Sequence, residues 1–348
     1  MFNNLVNKCR SIFYSTNYSL IYFPDEILLN IFENLDFYSK VQFKRTCFVA
    51  NNLFLITDFY HIDKKYLTRL TDDILKLHPN IIQLNAGGNP HITNVNHMRN
   101  LKRLNASWTY TFKGSNKAGI DQQGISELNL VKLNAKHNNK IKSVNWMTNL
   151  KSLDASGEYG INQQGIVGLN LVKLKTFLNN KIKDVSWMSN LRYLDASEES
   201  GITQKGIKGL NLIYLNAYDN YGIRDVSWMT NLRTLNAAMS GINQKGIQGL
   251  NLIKLDAGFN ESINDVSWMN NLRKLNACFE SGIGQKSIQN LNLIKLNARS
   301  NPKIIDVSWM SELRTLNAID NPELIKNSKT LKLEKLITEN KNKKCKFI

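Results

Sequence analysis

The chain has 348 residues, and its 45 lysine and arginine residues outnumber its 28 aspartate and glutamate residues, which gives a formal net charge of +17. This charge favours acidic partners: an acidic protein surface, a nucleic acid or an anionic membrane. No apolar stretch approaches the roughly 18 residues that cross a bilayer. Four cysteines without a Cys-x-x-Cys pair and five histidines without metal-ligand spacing argue against a disulfide framework, a metal site and a catalytic triad.

The first 21 residues are basic, contain no acidic residue and lack the continuous hydrophobic region of a secretory signal. We expect a disordered or partly helical lead-in, with a mitochondrial presequence as the alternative.

A helical module without repeat character follows at residues 22–58. Pro24 suits the first turn of a helix. One helical stripe is predicted to contain Ile27, Leu28, Ile31, Phe32 and Leu35. A second apolar helix is predicted to begin near Ser39. A module of this size cannot bury all of its apolar side chains internally, so we expect it to meet a partner or the first repeats.

After an atypical segment at residues 61–80, the chain repeats the pattern Leu-x-x-Leu-Asn-Ala. Repeat units start 20 or 21 residues apart, except for one 29-residue step, at Ile81, Leu101, Leu130, Leu150, Leu171, Leu191, Leu212, Leu232, Leu252, Leu272, Leu293 and Leu313. Within a unit, apolar residues such as Leu296 and Ala298 alternate with polar ones, which is typical of a strand with one buried face. Stacked units therefore predict one parallel sheet on the concave side of a solenoid.

Two kinds of unit alternate, and one kind carries a tryptophan. Aligned by their starts, the units predict a buried ladder of Trp146, Ile166, Trp187, Ile207, Trp228, Ile247, Trp268, Ile288 and Trp309. The alternative is an exposed aromatic row that binds a ligand. The nearly invariant Asn or Asp between Leu and Ala predicts a second, hydrogen-bonded ladder on the concave side, with a polar floor for a ligand as the alternative.

Specificity is expected at positions that vary among the units. Exposed large aromatics are typical binding anchors, and the candidates for target binding there are Phe177, Tyr193, Tyr214, Tyr218, Phe259 and Phe279. The insertion at residues 107–119 adds Trp108, Tyr110 and Phe112 as candidates, with a bulge that folds onto its own coil as the alternative. A basic edge suited to an acidic target is predicted at Arg103, Lys132, Lys173, Lys254, Lys274 and Lys295.

The repeats resemble the leucine-rich repeat, with alanine where that family has its third leucine. Residues 23–28, 31–32, 35–36 and 47 are similar to an F-box in order and spacing, with Phe23, Thr46 and Ala50 departing from its pattern. The resemblance implies docking to a Skp-type adaptor. The contact candidates that it implies are Phe23, Pro24, Ile27, Leu28, Ile31, Phe32 and Cys47. The alternative is a helical cap that seals the end of the solenoid.

The expected fold class is α+β: a short helical F-box module followed by a leucine-rich-repeat solenoid with a parallel concave β-sheet. The predicted organisation is a lead-in at 1–21, the F-box-like module at 22–58, the solenoid at 59–336 and a basic tail at 337–348. The composition, rich in asparagine, lysine and isoleucine, is similar to that of F-box/leucine-rich-repeat proteins of giant viruses that infect amoebae.

This architecture resembles that of a substrate-recruiting adaptor of a cullin-type (Skp–cullin–F-box) ubiquitin ligase. It implies a Skp-type adaptor, a cullin bound through that adaptor, and a target protein with an acidic surface as partners. We expect no enzyme activity, no cofactor and no membrane partner. The expected localisation is the cytoplasm, that of the host cell if the chain is viral, with the nucleus as the alternative. The competing functions are a protein-binding scaffold without ligase recruitment and a basic nucleic-acid-binding solenoid.

Overall fold

The computed structural model describes residues 25–45, 55–62, 64–111, 114–116, 118–328 and 331–339. The helices are α1 Asp25–Glu33, α2 Phe37–Lys44, α3 Lys64–Leu67, α4 Asp72–Lys76, α5 Gln285–Ile288 and α6 Pro322–Asn327. The strands are β1 Asp58–Phe59, β2 Gln83–Asn85, β3 Arg103–Asn105, β4 Thr109–Thr111, β5 Gly114–Asn116, β6 Lys132–Asn134, β7 Ser152–Asp154, β8 Lys173–Lys175, β9 Tyr193–Asp195, β10 Tyr214–Asn216, β11 Thr234–Asn236, β12 Lys254–Asp256, β13 Lys274–Asn276, β14 Lys295–Asn297, β15 Thr315–Asn317 and β16 Lys335–Ile337.

The fold is a short helical segment followed by a solenoid, as predicted. Fourteen of the described strands form one sheet in chain order, and every pair in it is parallel. The twelve predicted repeat units supply β2, β3 and β6 to β15, while β1 and β16 extend the sheet at its two ends. The remaining two strands, β4 and β5, form an antiparallel hairpin within the 29-residue unit. Neighbouring strands pair residue for residue, so equivalent positions of successive coils form straight rows along the sheet.

The core is one continuous cluster from Phe59 to Leu324. The central leucine of each strand from β2 to β15 in the main sheet is buried, and the alanine after most of these strands is buried with it. No coil could bury these leucines alone, so stacking supplies the interior. Leu70 and Leu75, from the atypical segment before the first full unit, belong to the same cluster and close its first end.

The tryptophans do not form the predicted buried ladder. The methionine that follows each of them is buried, whereas Trp187 keeps 38% of its surface exposed and the other four are partly buried against the core. Aligning the tryptophans with the isoleucines was therefore wrong, because the methionine takes the interior position. Each indole N–H instead donates to the backbone carbonyl of a leucine 18 residues upstream, as Trp187 does to Leu169 at 2.9 Å. The tryptophans join neighbouring coils from the surface.

A row of buried asparagines braces the turns of alternate coils. In a typical case, the side-chain amide of Asn179 donates to the carbonyls of Ala155 at 2.6 Å and Ile161 at 2.9 Å, while its oxygen accepts from the amide of Lys181. The same kind of double donation is made by Asn138, Asn220, Asn260 and Asn301. These bonds satisfy carbonyls that the short strands leave without a ladder partner.

Helices α1 and α2, called here the helix pair, have a separate small core of Leu28, Phe32 and Phe43. The Asp36 carboxylate caps α2 by accepting from the Ser39 amide at 2.8 Å. The pair contacts the solenoid through α2, where the Phe37 and Phe59 rings meet edge to face with centroids 5.3 Å apart. Every helix in the described part of the chain is too short or too polar to span a membrane.

Candidate protein-binding surfaces

Helix α1 exposes two aliphatic side chains, one on either side of its buried face. Ile27 is 48% exposed and Leu29 is 46% exposed, although both are aliphatic. The predicted single stripe is therefore divided: Leu28 and Phe32 lie in the interior of the helix pair, and Ile31 is half-buried against it. These two exposed aliphatic side chains are candidates for contact with a partner.

The other predicted adaptor contacts, Phe23, Pro24 and Cys47, lie outside the described residues. Leu29 was not among the candidates from the sequence. Helix α2 packs on the side of α1 that carries Phe32, with the Phe32 and Phe43 centroids 5.9 Å apart, and Leu29 stays exposed. No local sequence signal specifies that packing.

The concave floor is formed by the polar residue that ends each repeat strand. The predicted bonds along the row occur in three places: Asn105 to Asn85 at 2.8 Å, Asn216 to Asp195 at 3.0 Å, and Asn276 to Asp256 at 2.8 Å. The sequence did not predict the more regular role of these residues. Their oxygens accept from the backbone amide two residues on, in the manner of an Asx turn, at Asn85, Asn105, Asn134, Asp154, Asp195, Asn216, Asn236, Asp256, Asn297 and Asn317.

The turn after the strand places one residue of most coils in the left-handed region. These positive-φ residues are His137, Leu178, Glu198, Asp219, Met239, Phe259, Phe279, Ser300 and Asp320. The left-handed conformation costs on the order of 1 kcal/mol for a bulky side chain, and the stacked coils impose it. Two of the predicted target-binding aromatics, Phe259 and Phe279, occupy this turn, which holds their side chains at the edge of the concave face.

The first third of the concave face is basic. Lys132 and Lys173 start β6 and β8 with exposed side chains, and the Lys136 ammonium lies 5.3 Å from the ring centroid of the predicted anchor Phe177. Lys175 lies 3.8 Å from the Asp154 carboxylate, so part of the charge here is paired.

Tyrosines and carboxylates occupy the middle of the concave face. The Tyr193 and Tyr214 rings lie on paired residues of β9 and β10 with centroids 6.4 Å apart. Burial, together with the charges of Asp219, Asp195 and Glu199, raises the pKa of Glu198. Tyr218 lies at the same edge, and burial and Asp219 raise its pKa. This region interrupts the basic edge that the sequence predicted, since paired tyrosines stand where the preceding coil carries lysine.

The last third combines lysines with stacked phenylalanines. The Phe259 and Phe279 rings are stacked, with centroids 4.2 Å apart and planes inclined by 15°. The Arg299 guanidinium lies 5.2 Å from the Phe279 centroid and 3.6 Å from the Asp320 carboxylate. Lys254, Lys274 and Lys295 form a straight row across β12, β13 and β14.

The insertion forms the β4–β5 hairpin, and a backbone hydrogen bond next to β4 attaches it to the repeat array. The Trp108 amide donates to the Lys136 carbonyl at 2.9 Å, and the Trp108 side chain is partly buried. The side chains of Tyr110 and Phe112 lie outside the described residues, so their predicted part in target binding stays a prediction. At the start of the array, the Arg103 guanidinium lies 3.5 Å from the Tyr60 ring centroid.

No group of three or more His, Cys, Asp or Glu side chains that could hold a metal occurs among the residues whose placement is described. The side chains that converge on the surfaces above are aromatic, amide and charged groups in open positions.

Comparison with known protein families gives a match for the segment that contains α1 and α2. Residues 20–62 match the F-box domain. No curated protein matches the chain.

Three solved structures are similar over most of the chain. An internalin of Listeria monocytogenes is 18% identical and covers 75% of this chain and 83% of its own, with a TM-score of 0.44. A chain of the Rad7–Elc1 complex of yeast is 16% identical over 87% of both chains, and an LRR protein of Leptospira interrogans is 14% identical over 88% of this chain and 87% of its own, each with a TM-score of 0.40. These similarities are too distant to assign a function.

The chain therefore joins an F-box domain to a leucine-rich-repeat solenoid. Both are folds typical of protein-interaction adaptors. In the described residues, one end exposes aliphatic side chains on α1 and the other presents a long, polar and charged concave surface.

Proposed function

We propose that the protein is a substrate-recruiting adaptor of a Skp–cullin–F-box ubiquitin ligase. The helix pair would bind a Skp-type adaptor, which links it to a cullin, and the concave face would hold a target protein. Catalysis of ubiquitin transfer would belong to the partners, which the adaptor brings close to the target. A host protein as target and a place in the host cytoplasm depend on the resemblance to giant-virus proteins, which stays a prediction.

The observation that carries this proposal is the pair of exposed aliphatic side chains on α1, within the residues that match the F-box domain. Ile27 and Leu29 contribute little to the interior of the helix pair, so folding alone does not account for apolar residues at these positions. Both side chains are already about half buried, so covering the rest of each in a partner would contribute about 1.5–3 kcal/mol in total to binding.

The solenoid supports the second half of the proposal. The α2 contact between Phe37 and Phe59 attaches the helix pair to the first coils, so an adaptor bound to α1 would be physically connected to whatever the concave face holds. The variable side chains on that face differ in charge from one coil to the next, as a selective protein-binding surface requires.

The test is binding of the purified full chain to a Skp-type adaptor by isothermal titration calorimetry. Wild-type protein is expected to bind with micromolar or tighter affinity. Ile27→Asp and Leu29→Asp should each weaken binding by at least about tenfold, because each places a carboxylate in an apolar interface. The far-ultraviolet circular dichroism should not change, since both side chains are exposed.

Asn30→Asp is the matched control, because it adds a charge to an exposed site of the same helix without removing an apolar group. It should bind nearly as well as wild type. Absence of wild-type binding while the solenoid stays folded would refute the ligase proposal and favour a scaffold capped by a helix pair.

A further inference from the structure

The last third of the concave face forms a shallow trough across β12, β13 and β14. One side of the trough is the row Lys254, Lys274 and Lys295, and the other is the stacked pair Phe259 and Phe279. Asp256, Asn276 and Asn297 form the floor between them. These eight residues form the basic–aromatic trough.

The lysine row places like charges on directly paired residues. Lys274 pairs with Lys254 on one side and with Lys295 on the other, on strands about 4.8 Å apart. Like charges directly opposite each other destabilise a sheet. Neither Lys274 nor Lys295 forms an ion pair with any residue in the described part of the chain. A partner with carboxylates would relieve this repulsion.

The phenylalanine pair supplies an apolar contact at a fixed place. Phe259 is 40% exposed, although it stacks on Phe279. Arg299 packs beside Phe279 and is held by Asp320, so the rings are supported from one side and open on the other. A rigid aromatic surface beside charged groups is typical of a binding hot spot.

The size of the trough fits one polypeptide segment. Lys254 and Phe259 are five residues apart, which corresponds to no more than about 16 Å at 3.3 Å per residue. An extended chain or a helix with its side chains is about 10–12 Å wide. The lysine row extends for two strand spacings, or about 10 Å, which an extended segment crosses in about three residues.

The neighbouring coils oppose an acidic occupant. The tyrosine–carboxylate region of β9 and β10 carries Asp195, Glu198, Glu199 and Asp219, and their mutual repulsion contributes to the raised pKa of Glu198. An acidic segment is attracted by the trough and repelled by this region. The two regions together fix where such a segment binds.

We propose that the basic–aromatic trough binds an acidic segment of the target protein, in which two or more carboxylates within about four residues adjoin a large apolar side chain. The carboxylates pair with Lys274 and Lys295, and the apolar side chain packs on Phe259 and Phe279. This inference deepens the proposed function, on which it rests for the role of the occupant as a target.

The experiment is a random-peptide display selection on the purified full chain, and the selected peptides are then tested on a Lys274→Glu/Lys295→Glu variant. The selected peptides should share two or more Asp or Glu residues close to an aromatic or large aliphatic residue. In fluorescence anisotropy, a selected peptide should bind the charge-reversed variant at least about tenfold more weakly and Phe279→Ala several-fold more weakly.

Two variants serve as controls. Lys274→Arg/Lys295→Arg keeps the charge and should retain binding, which separates loss of charge from loss of folding. Lys245→Glu reverses an exposed charge in the 3-10 helix Lys245–Ile247, away from the sheet, and should leave binding unchanged.

Several outcomes would overturn the proposal. They are a selection that enriches no peptide, a consensus without acidic residues, and acidic peptides that bind the charge-reversed variant equally well. A single-stranded RNA oligonucleotide that displaces the peptide, with a steep salt dependence and the same need for the lysines, would make the trough a nucleic-acid site. Binding of a Skp-type adaptor is measured separately on α1, so failure of either proposal leaves the other distinguishable.

Discussion

In the helix pair, three buried side chains form the described core, whereas in the solenoid the buried residues form one cluster that continues through every coil. The helix pair exposes aliphatic residues and contacts the first coils through Phe37. The solenoid covers its apolar residues by stacking and exposes amide, charged and aromatic groups. The difference teaches that the two ends suit partners of different chemistry: an apolar one at the helix pair, and one with complementary charges at the concave face.

The largest effect is expected from a test of which side chains form the solenoid core. Two neighbouring residues, Met188 and Trp187, are substituted separately. Met188→Ala removes a buried side chain and should lower the free energy of unfolding by about 3 kcal/mol. Trp187→Ala removes a larger but 38% exposed side chain and its bond to the Leu169 carbonyl, and should cost about 1–2 kcal/mol. Urea unfolding followed by circular dichroism measures both. A larger loss of unfolding free energy for Trp187→Ala than for Met188→Ala would show that the tryptophans belong to the core after all.

The contact between the two regions is the next target. Phe37→Ala removes the edge contact with Phe59 and the 6.5 Å approach to Tyr66, and should loosen the helix pair by about 1–2 kcal/mol. Amide hydrogen exchange is expected to become faster in α2 and to stay unchanged in β6 to β15. Tyr38→Ala, at an exposed position of the same helix, is the control. Equal acceleration along the whole solenoid would show that the two regions share one core.

A smaller effect on stability is expected from the buried carboxylate of Asp256 in the concave floor. Burial raises the pKa of Asp256, against the opposing influence of the Asn276 and Gly258 hydrogen bonds and the Lys254 charge. Since the folded chain then holds the proton more tightly than the unfolded chain, this group stabilises the fold below the unfolded pKa of about 3.9, and that contribution is lost as the pH rises through the folded pKa. At neutral pH the buried carboxylate is a net cost.

Asp256→Asn should therefore raise the free energy of unfolding at neutral pH by about 1 kcal/mol, because an amide oxygen can accept the same two bonds without a charge. The gain should shrink as the pH falls toward 4, which urea titrations at several pH values measure. Asp195→Asn makes the same change at a half-buried position of the row and is the comparison. A gain independent of pH would contradict the role of the buried charge.

Much of the fold was predictable because the same pattern of buried and exposed residues recurs in every repeat unit. One unit with a buried leucine is ambiguous, but twelve in register specify a parallel sheet, and the sheet has strands at every predicted unit. The tryptophan ladder failed because spacing gives the period of a side chain without its direction: Trp187 and Met188 share the same period, and packing decided which of them turned inward.

The candidate surfaces were predictable in composition and only partly in arrangement. The pairs Tyr193–Tyr214 and Phe259–Phe279 were both among the candidates. The division of the concave face by sign of charge was not expected, nor was the exposure of Leu29. The cause is that both depend on which coils and helices become neighbours, which is a property of the whole array.

The sequence by itself determined the parallel solenoid, the helical module before it and the positions free to vary, because each follows from periodicity and burial, which are local and repeated many times. Only the tertiary structure decided that Ile27 and Leu29 face outward while Leu28 and Phe32 face inward, and that three lysines stand in line opposite two stacked rings. The first fact depends on how α2 packs on α1, and the second on the stacking of coils whose paired residues lie 20 or 21 positions apart in the chain.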